Sequence, residues 1–134
     1  MRYDSRETAA LAVEMFVPDV ESAVAWYADV LGFELLRKDG PVGRAVFAIG
    51  VLEGATLMFM LEDFYTGQRS ELDWRGAGLD VRIMTPDVDA VYERARASGA
   101  EIRHAIGDRD YGLRDFIMRD PNGFRLRFAA PLTA

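Results

Sequence analysis

Cysteine is absent from this chain of 134 residues, and histidine occurs only once. A disulfide framework, a thiolate metal site and a thiol nucleophile are therefore excluded. The chain also lacks any apolar run as long as a signal peptide or a transmembrane helix. We therefore expect a cytoplasmic protein that does not insert into membranes.

The chain also has fewer basic than acidic residues. Lys and Arg total 16 against 22 Asp and Glu, which gives a net charge of −6. No basic patch with interleaved aromatic residues offsets this balance, so nucleic acid is not an expected partner. Gly-rich phosphate loops, a Walker lysine and a Gly-x-Ser-x-Gly elbow are missing too. Neutral or cationic small molecules remain the partners that the composition favours.

What is present is a repeat. Val-Pro-Asp-Val-Glu begins at Val17, and the similar Thr-Pro-Asp-Val-Asp begins at Thr85. Each copy continues into an alanine-rich stretch with helical spacing and then reaches a glycine, Gly32 or Gly99. The sequence therefore predicts a duplicated module, and a groove between two modules is a common place for a binding site.

The patterns predict an α+β fold in a single domain over residues 1–134. The predicted elements of the first module, residues 10–62, are a strand over 11–17, a helix over 20–31 capped by Asp19, and strands over 33–37, 44–49 and 55–61. Those of the second module, residues 77–130, are strands over 79–84, from 101, over 113–119 and over 124–129, with a helix over 88–98. Loop 63–76 joins the modules. We expect two strand-helix-three-strand modules whose curved mixed sheets surround a cleft.

Strand alternation separates a packing face from a second face. In the second module Leu79, Val81, Ile83, Phe124, Leu126 and Phe128 share the parity expected under a helix. The opposite parity of these strands carries Asp80, Arg82, Arg125 and Arg127. The candidate cleft residues of both modules are Glu14, Phe16, Met58, Met60, Asp80, Arg82, Arg127 and Met84. These positions form either a solvent surface or the lining of a cleft. The charged ones form an ion-pair network, a carboxylate pair for acid–base chemistry, or a ligand-recognition site.

Aromatic residues in the connecting loop form a further candidate group. Phe64, Tyr65 and Trp74 occur where no packing periodicity explains them. We expect them to cap the cleft or to form a dimer contact.

Several motifs together resemble the vicinal oxygen chelate superfamily of glyoxalase I, bleomycin-resistance proteins, fosfomycin-resistance transferases and extradiol dioxygenases. The similar segments are Asp19-Val20-Glu21, Trp26-Tyr27, Leu31-Gly32-Phe33-Glu34, Tyr111 to Phe116, and Asp120-Pro121-Asn122-Gly123-Phe124. The resemblance implies paired modules around a shared cleft and, in many members, a homodimer. It also implies that Arg114 and Asp115, next to Tyr111, contribute to cleft shape and local ion pairing.

Metal-using members of that superfamily carry ligands at positions that correspond here to Ala12, Asp80, Arg127 and Met58 or Met60. Alanine cannot ligate a metal and arginine repels one, so we expect no metal and no other cofactor. The lone histidine, His104, lies off these positions. The resemblance then favours a bleomycin-resistance-like protein that sequesters a small drug-like molecule, with cationic aromatic compounds as one class. The alternatives are a lyase, isomerase or dioxygenase with an unusual site, built from Glu14 and Asp80 with or without His104, and a scaffold module.

Overall fold

The computed structural model describes residues 5–63 and 75–132. The chain forms two compact units, Met1–Glu71 and Leu72–Ala134. In both units a strand, a helix and three further strands follow in that order. The predicted α+β class and the duplicated strand-helix-three-strand module are therefore confirmed.

Unit 1 contains one mixed sheet, called sheet A here. Its elements are a 3₁₀ helix over Ser5–Thr8, β1 over Val13–Val17, α1 over Val20–Leu31, β2 over Glu34–Asp39, β3 over Phe47–Leu52 and β4 over Ala55–Leu61. The strand order is β1-β4-β3-β2. The β1–β4 pair is parallel and the other two pairs are antiparallel.

Unit 2 repeats this topology in sheet B. Its elements are β5 over Asp80–Met84, α2 over Val88–Ala97, β6 over Glu101–Asp108, β7 over Leu113–Arg119 and β8 over Arg125–Pro131. The strand order is β5-β8-β7-β6, again with the first pair parallel. The repeated sequence thus folds into two copies of one arrangement.

The repeated aspartate begins each helix. Asp19 Oδ1 accepts a hydrogen bond from the Ser22 amide at 3.1 Å, and Asp87 Oδ1 accepts one from the Ala90 amide at 3.1 Å. These bonds satisfy helix amides that otherwise have no partner. Gly32 ends α1 with φ of 80°, a left-handed conformation that disfavours a side chain. Both predicted N-caps and the predicted end of α1 are confirmed.

One face of each sheet packs against the helix of its own unit. In unit 1 the Tyr27 ring lies 4.9 Å from the Phe59 ring, and its hydroxyl lies 3.6 Å from Met15 Sδ. In unit 2 the Phe116 ring lies 4.9 Å from Tyr92 and 5.6 Å from Phe128. Because side chains alternate along a strand, the neighbouring residues point to the opposite side, which we call the helix-free face of each sheet.

A buried aspartate holds the turn between β7 and β8. Asp120 is buried, and its Oδ1 accepts hydrogen bonds from the amides of Asn122 and Phe124, both at 2.9 Å. This arrangement explains why the Asp-Pro-Asn-Gly segment forms a turn at this point.

The observed elements differ from the sequence-based expectation at several ends; for example, β1 begins at Val13 and not at residue 11, and β2 spans Glu34–Asp39 and not 33–37. β3 begins at Phe47 and not at residue 44. Arg44 is part of a turn in which its backbone amide donates a hydrogen bond to the Pro41 carbonyl oxygen at 3.0 Å. Leu79 is not packed under α2: it precedes β5 and is 55% exposed. Among the helices of residues 5–63 and 75–132, none is long and apolar enough to cross a membrane.

Candidate functional site

The helix-free face of sheet A carries an acid, an aromatic ring and two thioethers side by side. Glu14 and Phe16 on β1 lie directly opposite Met58 and Met60 on β4. Glu14 is exposed and the other three are half-buried. We call these four residues the acidic–thioether patch. Four residues that the sequence analysis placed on one face are thus neighbours in the sheet.

The strands beside β4 extend this patch and set its charge. Phe47 and Ile49 on β3 lie opposite the two methionines; Phe47 is half-buried and adds apolar surface, whereas Ile49 is only 3% exposed. Arg37 on β2 is already occupied, since its Nε lies 2.8 Å from Asp39 Oδ2 and its Nη1 lies 3.7 Å from Glu7 Oε1. Within the described part of the chain, Glu14 makes no hydrogen bond or ion pair. The patch therefore offers an unneutralised carboxylate beside apolar surface.

The helix-free face of sheet B is built mainly from charged residues. Asp80 on β5 is bound by two arginines of β8, with Arg125 Nε 3.0 Å from Oδ1 and Arg127 Nη2 3.3 Å from Oδ2. Arg82 lies directly opposite Arg127 in the β5–β8 register. Asp80 and Arg127 thus form one of the ion pairs that the alternation suggested, and Asp80 is not an isolated carboxylate.

Asp115 is the centre of a second charged cluster on the same face. Only 2% of the residue is exposed, and its carboxylate accepts hydrogen bonds from Arg109 Nε at 2.7 Å and from the Tyr111 hydroxyl at 2.6 Å. Burial raises the pKa of Asp115, but the Tyr111 and Arg109 hydrogen bonds, with the charges of Arg109 and Arg127, outweigh it and lower that pKa. The carboxylate is therefore held ionised. The same hydrogen bond raises the pKa of Tyr111.

Arg114 lies on the other side of the sheet. Alternation places it on the α2 side, where its Nη2 is 2.9 Å from Asp89 Oδ1 and its Nη1 is 2.9 Å from Asp108 Oδ1. The hydrogen bond to Arg114 is the main cause that lowers the pKa of Asp89. Arg114 thus links β7 to the first turn of α2, apart from Asp80, Arg82 and Arg127.

The aromatic residues of the connecting loop cannot be placed. Phe64, Tyr65 and Trp74 lie outside the described residues. Their expected roles as a cap over the site or as a dimer contact stay predictions.

A cavity of about 280 Å³ lies beside the start of α1. Its charged lining consists of Asp19, Arg44 and Asp63. Asp19 caps the helix, and Arg44 Nη2 lies 3.4 Å from Asp63 Oδ2. Asp63 Oδ1 is buried and accepts no hydrogen bond from a described residue. The residues that line the cavity include no aromatic ring and no thioether, so the acidic–thioether patch has the stronger chemical case as a surface for an aromatic ligand.

The sequence profile of the Glyoxalase/Bleomycin resistance protein/Dioxygenase superfamily matches residues 10–128. This chain belongs to that superfamily. A structure of TioX from Micromonospora sp. ML1 is 28% identical, has a TM-score of 0.75, and matches 92% of this chain and 99% of its own. An uncharacterized protein of Mycobacterium bovis is 29% identical over 92% of this chain and 84% of its own length. A lactoylglutathione lyase of Neisseria meningitidis serogroup A is 26% identical over 84% of this chain and 83% of its own length.

The residues at the superfamily's metal-ligand positions do not fit a divalent metal. Ala12 offers no donor atom, Met58 offers only a thioether, and Arg127 is a cation that lies 3.3 Å from Asp80. Within residues 5–63 and 75–132, no three Asp, Glu or His side chains are grouped as a metal site requires. His104 is exposed on β6, opposite Ile117. We therefore derive no metal-dependent step for this chain.

The sequence analysis placed Arg125 on the charged face of sheet B without selecting it as a site residue, and it did not identify Arg119. Arg119 lies directly opposite Arg125 in the β7–β8 register, and both face away from α2. The period-2 alternation of β8 does place Arg125 on the same side as Arg127. The signal was available, but the cross-strand pairing that brings Arg119 beside them requires the register.

Proposed function

We propose that this superfamily member is a small-molecule binding protein that sequesters its ligand without a metal, through the acidic–thioether patch. The observation that carries the proposal is the register that sets Glu14 and Phe16 opposite Met58 and Met60. The ligand class that matches this surface has a cationic group beside an aromatic body. Bleomycin-type drugs are one example, so the predicted role in antibiotic resistance belongs to this proposal.

Each component of the patch supports a separate part of the recognition. Methionine side chains adapt to ligand shape and contact aromatic rings favourably. Phe16 adds a flat apolar surface on the same side of the sheet. Glu14 is exposed and has no partner among the described residues, so a ligand ammonium or guanidinium does not need to displace an ion pair. A charge-assisted hydrogen bond to it is worth about 1.5–3 kcal/mol.

Asp80 has a different part in this proposal from the one that the sequence suggested. Its two carboxylate oxygens are each bound by an arginine of β8. A ligand cation at Asp80 would compete with both guanidinium groups. The cation is therefore assigned to Glu14 alone, and Asp80 is assigned to the organisation of the arginines.

Lactoylglutathione lyase activity is the second candidate function. The 26% identity to the lyase of Neisseria meningitidis supports it. The atypical site suggested by the sequence is less well supported, since Asp80 and His104 lie on the two edge strands of sheet B. Three strand spacings separate these strands, about 14 Å. A direct assay of lactoylglutathione turnover by the purified protein, with and without added divalent metals, tests this candidate.

A homodimer in the cytoplasm completes the proposal. Both sheets end in edge strands, and Leu35 on β2 is exposed beside an apolar groove that includes Val24 and Ala28. Exposed strand edges and apolar grooves are surfaces that a second copy can cover. Light scattering tests this proposal: a dimer has twice the 15.0 kDa mass of the chain, whereas a clean monomer in dilute solution contradicts it.

A binding screen with cationic aromatic compounds tests the ligand class. We expect hits among these compounds, and we expect Glu14→Gln to weaken them about ten- to a hundred-fold by removing the charge contact. Glu53→Gln is the matched control, because Glu53 is an exposed acid in the turn between β3 and β4, outside the patch. Hits confined to anionic compounds, or equal binding by the parent and Glu14→Gln, would refute the assigned charge.

A further inference from the structure

The helix-free face of sheet B holds more positive charge than its own acids neutralise. Two rows of directly opposed residues cross this sheet, Asp80–Arg125–Arg119–Glu101 and Arg82–Arg127–Ile117–His104. They contain four arginines and two carboxylates. The neighbouring Asp115 lies 4.0 Å from Arg127 Nη1 but is paired with Arg109, so a surplus of two positive charges remains when His104 is counted as neutral. We call Arg82, Arg119, Arg125 and Arg127 the arginine face. The surplus is unexpected in a chain with a net charge of −6.

The register places arginines directly against each other. Arg82 lies opposite Arg127, and Arg119 lies opposite Arg125. Arg119 and Arg125 are opposed in an antiparallel pair, where Cβ atoms lie about 4.5–5.5 Å apart and like charges destabilise the sheet. Arg82 and Arg127 are opposed in a parallel pair, on neighbouring strands, and their charges repel as well. Residues that lower the stability of a fold without a structural gain are expected at functional sites.

Hydrogen-bond donors on this face also exceed acceptors. The Nε atoms of Arg119, Arg125 and Arg127 are buried. Arg125 Nε has a carboxylate oxygen, Asp80 Oδ1, at 3.0 Å, but within residues 5–63 and 75–132 Arg127 Nε makes no hydrogen bond and Arg119 Nε has only Glu101 Oε2, at 3.8 Å. Arg82 makes no hydrogen bond or ion pair within the same residues. Buried donors without acceptors are costly, so this face is suited to a ligand that brings acceptors.

We infer that the arginine face binds a small anion, namely the carboxylate or phosphate group of an organic molecule. Guanidinium groups bind both groups through paired N–H···O contacts. The four arginines occupy three adjacent strands, so their Cα atoms lie within about 12 Å of one another, near enough to converge on one anionic group. All four arginines belong to unit 2, so the anion site is argued without the acidic–thioether patch and does not rest on the proposed function.

Asp80 and Glu101 keep the arginines in place. Asp80 contacts Arg125 and Arg127, and Glu101 Oε2 lies 3.8 Å from Arg119 Nε. Arg82 is the arginine of the set that no acid holds. It is exposed on β5, so replacing it removes a positive charge without breaking a contact.

Calorimetric titration of the full chain with inorganic phosphate and with citrate, in dilute Tris chloride, tests the inference. We expect saturable binding of at least one anion, about tenfold weaker in Arg82→Gln and weaker at high chloride. The two probes separate phosphate from carboxylate preference. Arg94→Gln is the matched control, because Arg94 is an exposed arginine of α2 on the opposite side of the sheet, and it should bind like the parent.

Three results would overturn the inference: no saturable binding of either anion, an equal loss in Arg82→Gln and Arg94→Gln, or tighter binding of a single-stranded oligonucleotide than of both small anions. Glu14→Gln separates this site from the proposed one. We expect that variant to bind the anion as tightly as the parent does. Failure of the cationic aromatic screen would therefore leave the anion result unchanged.

Discussion

Replacing Asp115 with Asn tests the charged cluster at the β6–β7 connection. The buried carboxylate accepts hydrogen bonds from Arg109 at 2.7 Å and Tyr111 at 2.6 Å. Breaking a buried ion pair costs about 3–5 kcal/mol, and a lost hydrogen bond to a charged group costs about 1.5–3 kcal/mol. Because a quarter of the Arg109 side chain is exposed, water compensates part of the loss. We expect the free energy of unfolding to fall by about 2–3 kcal/mol at pH 7.

The pH dependence of this loss of stability separates the contribution of the Asp115 charge from that of the side chain's shape. The pKa of Asp115 is lowered in the folded chain, so the carboxylate stabilises the fold above its unfolded pKa of about 3.9. That contribution is lost as the pH falls through the folded value, because both states are then protonated. The measurement is urea unfolding of the parent and the variant from pH 7 to pH 2.5, where the difference should shrink. A constant difference over this range, or one below about 0.5 kcal/mol at pH 7, would refute the argument.

Asp110→Asn is the control for that experiment. Asp110 is exposed in the same connection and makes no hydrogen bond or ion pair among the described residues. Its replacement should change the free energy of unfolding by less than about 0.5 kcal/mol.

Three further predictions concern stability in urea. Gly32→Ala should lower the free energy of unfolding by about 1–2 kcal/mol, because it forces a side chain into a left-handed conformation. Gly54→Ala is the control and should change it little, because the added methyl group meets open space. Equal effects of the two substitutions would contradict the assigned cap. Asp120→Ala should lower the free energy of unfolding by about 1–3 kcal/mol, because two amide hydrogen bonds are lost. An unchanged free energy of unfolding would show that these hydrogen bonds do not stabilise the turn. Arg82→Gln should raise the free energy of unfolding by about 0.2–1 kcal/mol in dilute chloride, whereas Arg94→Gln should not; a destabilised Arg82→Gln would show that the opposed arginines carry no strain.

The elements of the fold could be predicted because each has a local signal. Asp19 and Gly32 bracket α1 with the residue types that begin and end a helix, and Asp87 begins α2 in the same way. The alternation of side chains alone predicted which residues of β1 and β4 share a face. The start of β3 was wrong by three residues, because a turn that includes Arg44 carries no strong residue signal.

The candidate site was predictable only in part. Alternation identified Glu14, Phe16, Met58 and Met60 as one face, and the sheet register confirms that they are neighbours. Alternation does not reveal which charges pair across strands. The binding of Asp80 by two arginines depends on the register of β5 against β8, and the position of Arg119 beside them depends on the register of β7 against β8. The family motif indicated local ion pairing at Asp115, but it did not identify Arg109 and Tyr111 as the partners.

The central claim is that the acidic–thioether patch binds the ligand, and methionine methyl NMR tests it most directly. Titration with a cationic aromatic hit should shift the methyl signals of Met58 and Met60, which lie in the patch. Met15 and Met118 are 1% and 0% exposed, and both lie on the helix side of their sheets, so their signals should not move. Shifts of Met58 and Met60 that disappear in Glu14→Gln at the same ligand concentration are the predicted result. Binding that leaves both of these methyl signals unchanged would place the ligand elsewhere and contradict the account.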